Sequence, residues 1–209
     1  WENFIAQLGA LPSGDVLELG SCARSAITRR HRIPAHLGYV GLDILAGPNV
    51  DIVGDVHDLS RVLAGRKFVA AFSTSVFEHL AMPWKVVLEL NHVLAPGALV
   101  YTATHQTFPL HEEPWDFWRY SQHSWRALFN AHTGFEVLEA VVGEPARIHS
   151  RRTSEVTREM HNSPAWLGSA CLARKIGDTT LSWPVPIAAA AQAMYPSGTL
   201  DAPPTSDRT

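Results

Sequence analysis

The chain has 209 residues, enough for one domain with a real core and room for tails. Its 17 basic and 20 acidic residues leave a formal charge of −3, which excludes affinity for nucleic acid or a membrane surface built on net charge. Two cysteines, Cys22 and Cys171, exclude a disulfide scaffold and a four-cysteine zinc centre, and no apolar run reaches the roughly 18–20 residues that span a bilayer.

In chain order, Phe4, Ile5, Leu8 and Leu11 predict a helix that Pro12-Ser13-Gly14 breaks. The chain opens on Trp1 rather than Met, so its true start is expected upstream; no basic stretch followed by an apolar core marks a signal. Residues 15–20 read as a short buried strand ending in Gly20, and residues 24–32 as a polar helix stopping before Pro34. Residues 39–43 and 50–55 read as strands that each end in an acid, Asp43 and Asp55. A short helix over 59–63 and a strand over 67–73 follow. Residues 83–94 carry Val86, Val87, Leu90, Val93 and Leu94 on one side, an amphipathic helix with Pro83 in its first turn; Ala95-Pro96-Gly97 closes it, and 98–104 is a fifth strand.

From 105 to 121 the pattern gives way to an aromatic, histidine-rich loop, too long for a plain connector. Residues 122–132 read as helix, 135–142 as a sixth strand, 143–162 as a basic, partly helical insertion, and 165–173 as a seventh strand. An alanine-rich helix over 186–194 and a disordered tail close the chain. The expected domain spans 1–175, with a helical extension over 176–195 and the tail over 196–209. Strands alternating with helices predict an α/β fold, a doubly wound, mostly parallel sheet covered on both faces. Whether the last two strands pair parallel or antiparallel stays open.

In such folds ligands sit outside the carboxyl ends of the strands, at the switch point. Gly20 opens the turn after the first strand, where a ligand can approach the backbone. Asp43 ends the second, where a carboxylate can accept both hydroxyl protons of a ribose, and Asp55 ends the third, where a carboxylate or its neighbouring amide can read an adenine edge. Each acid alone is an ordinary turn residue; three features on successive strand ends point to a nucleotide-like site.

Here the sequence resembles the class I methyltransferases that use S-adenosylmethionine. Residues 16–21 (Val-Leu-Glu-Leu-Gly-Ser) resemble their first motif, 39–43 (Tyr-Val-Gly-Leu-Asp) their second, and 54–59 (Gly-Asp-Val-His-Asp-Leu) their adenine-binding turn. Residues 75–80 (Ser-Val-Phe-Glu-His-Leu) and 93–98 (Val-Leu-Ala-Pro-Gly-Ala) match the segment around strands four and five. The match covers about residues 12–142 in order, nearest to small methyltransferases of glycan and natural-product pathways. The resemblance implies a Rossmann-like, seven-stranded fold and S-adenosyl-L-methionine as cofactor. It implies that Glu18, Gly20 and Ser21 hold the loop around the methionine part, that Asp43 binds the ribose, that Asp55 and Val56 frame the adenine, and that Ser73, Thr74 and Ser75 lie beside the methyl donor. The chain departs from the family's Gly-x-Gly-x-Gly run, with Cys22 and Arg24 at the second and third glycines. That loss argues against a dinucleotide dehydrogenase, whose pyrophosphate needs close backbone contact.

The 105–121 loop follows the fifth strand and is expected to rim the same pocket. Its aromatics supply apolar walls and its His, Glu, Asp and Arg supply polar contacts, the usual composition of a small-molecule site. Related methyltransferases carry a Pro-x-Asp-x-Trp-Arg-like segment that shapes the acceptor site; Pro114, Asp116, Trp118 and Arg119 match it. The expected substrate contacts are His111, Trp115, Asp116 and Arg119. The alternative is a packed lid whose Asp116–Arg119 pair is structural. A hydroxyl acceptor must lose a proton, and a histidine can take it near neutral pH. His105 and then His79 are the candidates, each equally open to a structural hydrogen bond. Metal is set aside, because no pair has His-x-x-x-His spacing.

The expected activity is methyl transfer, most simply O-methylation, to a small-molecule or glycan acceptor in the cytoplasm. No nucleic-acid or membrane partner is expected, and self-association stays open. The rival reading is a non-catalytic binding module that kept the fold, favoured by the altered glycine loop.

Overall fold

The computed structural model describes residues 1–23, 27–191 and 195. Seven strands form one sheet: β1 (Asp15–Leu19), β2 (Gly38–Asp43), β3 (Ile52–Val53), β4 (Phe68–Thr74), β5 (Leu94–His105), β6 (Phe135–Ala146) and β7 (Ala165–Lys175). Their order is β3-β2-β1-β4-β5-β7-β6. The first five run parallel, and β7 inserts antiparallel between β5 and β6 with Thr102 opposite Cys171. The pairing left open by periodicity is therefore an antiparallel one.

Strand period 2 sorts the core into two layers. On one face Val16, Ala70, Phe72, Leu99 and Leu172 pack under α1 (Glu2–Leu8) through Phe4 and Leu8. On the other, Leu17, Leu19, Ala71, Val100 and Ala173 pack under α2 (Leu59–Val62), α3 (Pro83–Val93) and α4 (Gln122–Leu128). α3 buries Val86, Val87, Leu90 and Val93, the stripe its sequence predicts. Buried Asn91 ties its end down: the amide donates to the carbonyls of Thr133 and Gly177 (3.1 and 2.9 Å), and its Oδ1 accepts from Thr179 N–H (3.1 Å). Buried Lys175 donates to the carbonyls of Asn91 and Leu94 (2.7 and 3.0 Å), acceptors that a helix end leaves open.

Several elements differ from expectation. The polar helix over 24–32 is not found in its described part: residues 27–29 are irregular and only a single 3-10 turn forms, Arg30–Arg32. The segment lacks an apolar stripe, and its cations are drawn to neighbours, Arg30 to Asp51 and Arg32 to Glu2. β3 keeps two residues where a strand over 50–55 is expected, and β6 and β7 outrun their predicted ends because they pair with each other. The insertion after β6 forms only a 3-10 turn, Met160–Asn162. The terminal helix α5 spans Ile187–Ala191; residues 192–194 and the predicted tail lie outside the described residues. Among the described residues, no helix is long and apolar enough to cross a membrane.

Candidate active site

The strand order reverses between β1 and β4, and a hollow of about 430 Å³ opens there, beyond their carboxyl ends. β1 delivers Glu18 and then Gly20, which turns at φ +69°. A Cβ on Gly20 would lie 2.3 Å from Val76 Cγ2, so the turn has no room for a side chain. The Gly20 and Ser21 amides both donate to the Leu42 carbonyl (2.8 and 3.1 Å), fastening the turn to β2.

Asp43, at the end of β2, is buried beside the hollow. Its Oδ2 accepts from Cys22 N–H (3.0 Å) and its Oδ1 from Leu45 N–H (2.9 Å). Each carboxylate oxygen thus keeps a lone pair while two loops are held in place. Glu18 accepts from the Tyr39 hydroxyl and from Asn49 Nδ2 (3.3 Å). Asn49 also donates to the Ser21 carbonyl (3.0 Å), so the Glu18 carboxylate braces the loop through Asn49. Burial raises the Glu18 carboxyl above its usual range, against the opposing hydrogen bonds from Tyr39 and Asn49.

Asp55 caps the 3-10 turn Val56–Asp58 and accepts from His57 N–H (2.8 Å) and from His57 Nδ1 (2.7 Å). Met82 N–H donates to His57 Nε2 (3.2 Å), so the buried ring carries its proton on Nδ1. Val56 lines the hollow; Asp55, expected beside it, does not. Ser75 is held at φ +54° and lines the hollow, whereas Ser73 is buried in the sheet, its hydroxyl given to Thr102 (3.0 Å).

The loop after β5 folds over the site. Trp115 lines the hollow, and its carbonyl accepts from His79 Nδ1 (2.8 Å), which places His79 on the same wall. His105 lines a second hollow of about 350 Å³ with Phe108, Val142 and Leu167; Thr74 and Ser75 border both hollows. The His105 ring stacks on Phe108 (4.1 Å), with Nδ1 2.9 Å from Glu78 Oε1 at an angle that makes no hydrogen bond. Asp116 and Arg119 line neither hollow. The guanidinium clasps the carboxylate at 2.5 and 2.7 Å and donates to the Phe108 and Pro109 carbonyls. Arg119 holds the Asp116 carboxyl well below its usual range, at about 2, and His111 N–H adds a further bond. This pair clips the loop into shape. His111 lines neither hollow; its ring stands between those of His79 (4.9 Å) and His105 (5.0 Å).

The structure thus gathers Glu18, Gly20, Ser21, Asp43, Val56, Ser75, His79 and Trp115 around one hollow. It adds residues that sequence reasoning missed. Tyr195 reaches the hollow from the far end of the chain, its ring 5.3 Å from that of His57, and no pattern in the sequence marks it. Arg29, Cys22 and Ile44 also line the wall. Glu78 falls within the 75–80 match but no role follows for it from sequence; its complete burial emerges from packing. Two lining residues, Ser21 and Thr74, carry buried hydroxyls without a hydrogen-bond partner among the described residues, as does the Trp115 indole N–H. Buried polar atoms of that kind call for a polar occupant. A hollow with these orphaned groups and two free carboxylate lone pairs suits an adenosyl group with an amino-acid arm.

No family model and no curated protein matches the sequence. The fold is similar to that of solved methyltransferases. A SAM-dependent methyltransferase from Archaeoglobus fulgidus is 14% identical over 83% of this chain and 94% of that one, with TM-score 0.55. The Burkholderia thailandensis 1,6-didemethyltoxoflavin-N1-methyltransferase, solved with bound 1,6-didemethyltoxoflavin and S-adenosylhomocysteine, is 11% identical over 84% of this chain and 76% of that one, with TM-score 0.59. A chain in the complex between the Haloferax volcanii Trm112 methyltransferase activator and a methyltransferase is 20% identical over 85% and 90%, with TM-score 0.54. At such identities the likeness establishes a Rossmann-like methyltransferase fold.

Proposed function

We propose that this chain is an S-adenosylmethionine-dependent methyltransferase that acts on a hydroxyl of a small-molecule or glycan acceptor. One observation carries the reading: Gly20, Asp43, Val56 and Ser75, from four successive strand ends, meet at a single hollow at the switch point. The solved likeness with S-adenosylhomocysteine bound supports the choice of ligand. Cys22 lines this hollow without closing it, so the altered glycine loop is compatible with binding.

The free lone pairs of Asp43 are placed to accept ribose hydroxyl protons, and Val56 and Ile44 to flank a flat base. Ser21 and Thr74 offer hydroxyls to the amino-acid arm. When bound, S-adenosylmethionine supplies an electrophilic methyl group; holding acceptor and donor collinear provides most of the rate. The second hollow, walled by Phe108, Val142 and Leu167, is the acceptor's place, since it meets the first at Thr74 and Ser75. His105 stands on its wall as proton acceptor, its Nδ1 2.9 Å from the Glu78 carboxylate and its ring stacked on Phe108.

The test is binding of S-adenosylhomocysteine followed by calorimetry. Micromolar affinity is expected, with a loss of about tenfold or more in Asp43→Asn, which keeps one acceptor oxygen and loses the charge. No binding at millimolar ligand would overturn the reading in favour of a non-catalytic module.

A further inference from the structure

Glu78 lies in the 3-10 turn Phe77–His79 with no exposed surface. Its Oε2 accepts from the Thr104 hydroxyl. Its Oε1 makes no hydrogen bond of good angle among the described residues and faces three imidazoles: His105 Nδ1 at 2.9 Å, His79 Nε2 at 3.9 Å and His111 Nε2 at 4.0 Å. The other nitrogens of two of these rings are spoken for. His79 Nδ1 is 2.8 Å from the Trp115 carbonyl, and His111 Nδ1 is 3.2 Å from the Pro109 carbonyl and 3.3 Å from Asp116 Oδ2. Carbonyl and carboxylate oxygens accept only from N–H, so both rings carry a proton on Nδ1. In their neutral forms both Nε2 atoms then present lone pairs to a carboxylate oxygen. Three electron-rich atoms converge on one point, and their repulsion is relieved by a cation among them. A backbone carbonyl or carboxylate holding the far nitrogen of each imidazole is the arrangement that orients metal-binding histidines.

We propose that Glu78 Oε1, His79 Nε2 and His111 Nε2 bind a divalent transition-metal ion of the zinc class. One ligand atom from each of the three residues lies within 4.8 Å of the other two. An ion about 2.0–2.2 Å from each donor in tetrahedral geometry sets the donors about 3.3–3.6 Å apart, so modest rotations of both the His79 and His111 rings toward Glu78 close the set. Two imidazoles and one carboxylate suit zinc and its neighbours better than magnesium or calcium, which prefer oxygen alone. Three protein ligands leave a coordination position open. His79 faces the first hollow and His105 the second, so that position adjoins the proposed acceptor site. A metal there would bind an acceptor oxygen and favour its deprotonated form. That role rests on the proposed function; the site itself does not. The sequence hid it because the ligands sit on two loops, 33 residues apart between Glu78 and His111.

The full chain, untagged and stripped with chelator, is titrated with Zn²⁺ in calorimetry and with Co²⁺ in visible absorption. One ion per chain at micromolar affinity or tighter is expected, with a cobalt ligand-field band. His111→Gln should weaken binding at least tenfold with its unfolding temperature in the metal-free state kept, and Glu78→Gln should do the same if it folds. His149→Gln, in a separate histidine pair, should bind like the parent. Absence of the cobalt band, or parental affinity in His111→Gln, overturns the proposal. S-adenosylhomocysteine binding to the stripped chain reads the proposed function separately, since Asp43 and the glycine turn are untouched by chelation.

Discussion

At the scale of single residues, the same side-chain chemistry serves two ends. Asp116 and Arg119 have the composition of a ligand contact, yet they bind each other. The depressed Asp116 carboxyl stabilises the fold wherever it is ionised in both states. That contribution is present above the ordinary carboxylate range near pH 4 and is lost as pH falls toward 2, the folded value. A shift of this size corresponds to about 2 kcal/mol. Urea unfolding of Asp116→Asn should show that loss at pH 7, and the gap to the parent should narrow by pH 3. Gly20 answers to a different constraint. Gly20→Ala must hold a left-handed φ of +69° and push against Val76 Cγ2. A loss of about 2–4 kcal/mol is expected from strain and overpacking together. Because Val76 causes part of it, the Gly20→Ala/Val76→Ala double variant should fall short of the sum of the single losses.

At the scale of elements, α3 shows a helix end secured by distant chain. Its stripe was legible in the 3.6-residue period; the clasp of Asn91 and Lys175 was not, because its partners come from loops more than forty and eighty residues away. Lys175→Met keeps the length of the side chain but leaves two buried carbonyls without a donor. Stability should drop by about 1–3 kcal/mol in denaturant unfolding. Asp178, exposed beside Lys175, should matter little when changed to Asn. The 24–32 segment teaches the converse. A polar run bounded by Pro34 fits a helix by exclusion, but with no apolar face to bury, tertiary ion pairs at Arg30 and Arg32 set its described course instead. The 3-10 turns at Arg30–Arg32, Val56–Asp58 and Phe77–His79 likewise escape periodicity, being too short to show it.

At the scale of the whole molecule, sheet order converts separate strand ends into one site. β1 and β4 are neighbours in space though about fifty residues apart, and their switch point opens the hollow. The chain beyond β7 then returns along α3, where Lys85 donates to the Trp183 and Val185 carbonyls and the rings of Trp84 and Trp183 meet at 5.6 Å. Ligand binding in this hollow joins elements from both ends of the chain, so it should be felt globally. At one hundred times its dissociation constant, S-adenosylhomocysteine should add about 2.7 kcal/mol. For a domain of this size that raises the unfolding temperature by roughly 5–10 °C, readable by scanning calorimetry.

The amino-acid sequence by itself determined the alternation of strands and helices, the buried runs, and the acids and glycine at the strand ends. These are local properties, written in the period of apolar residues and the backbone freedom of single positions. Only the tertiary structure decided which polar residues face a hollow and which face each other, that β7 runs antiparallel between β5 and β6, and that Glu78 lies wholly enclosed among three histidines. Enclosure depends on what packs around a side chain from remote parts of the chain, and neighbouring letters carry no record of it.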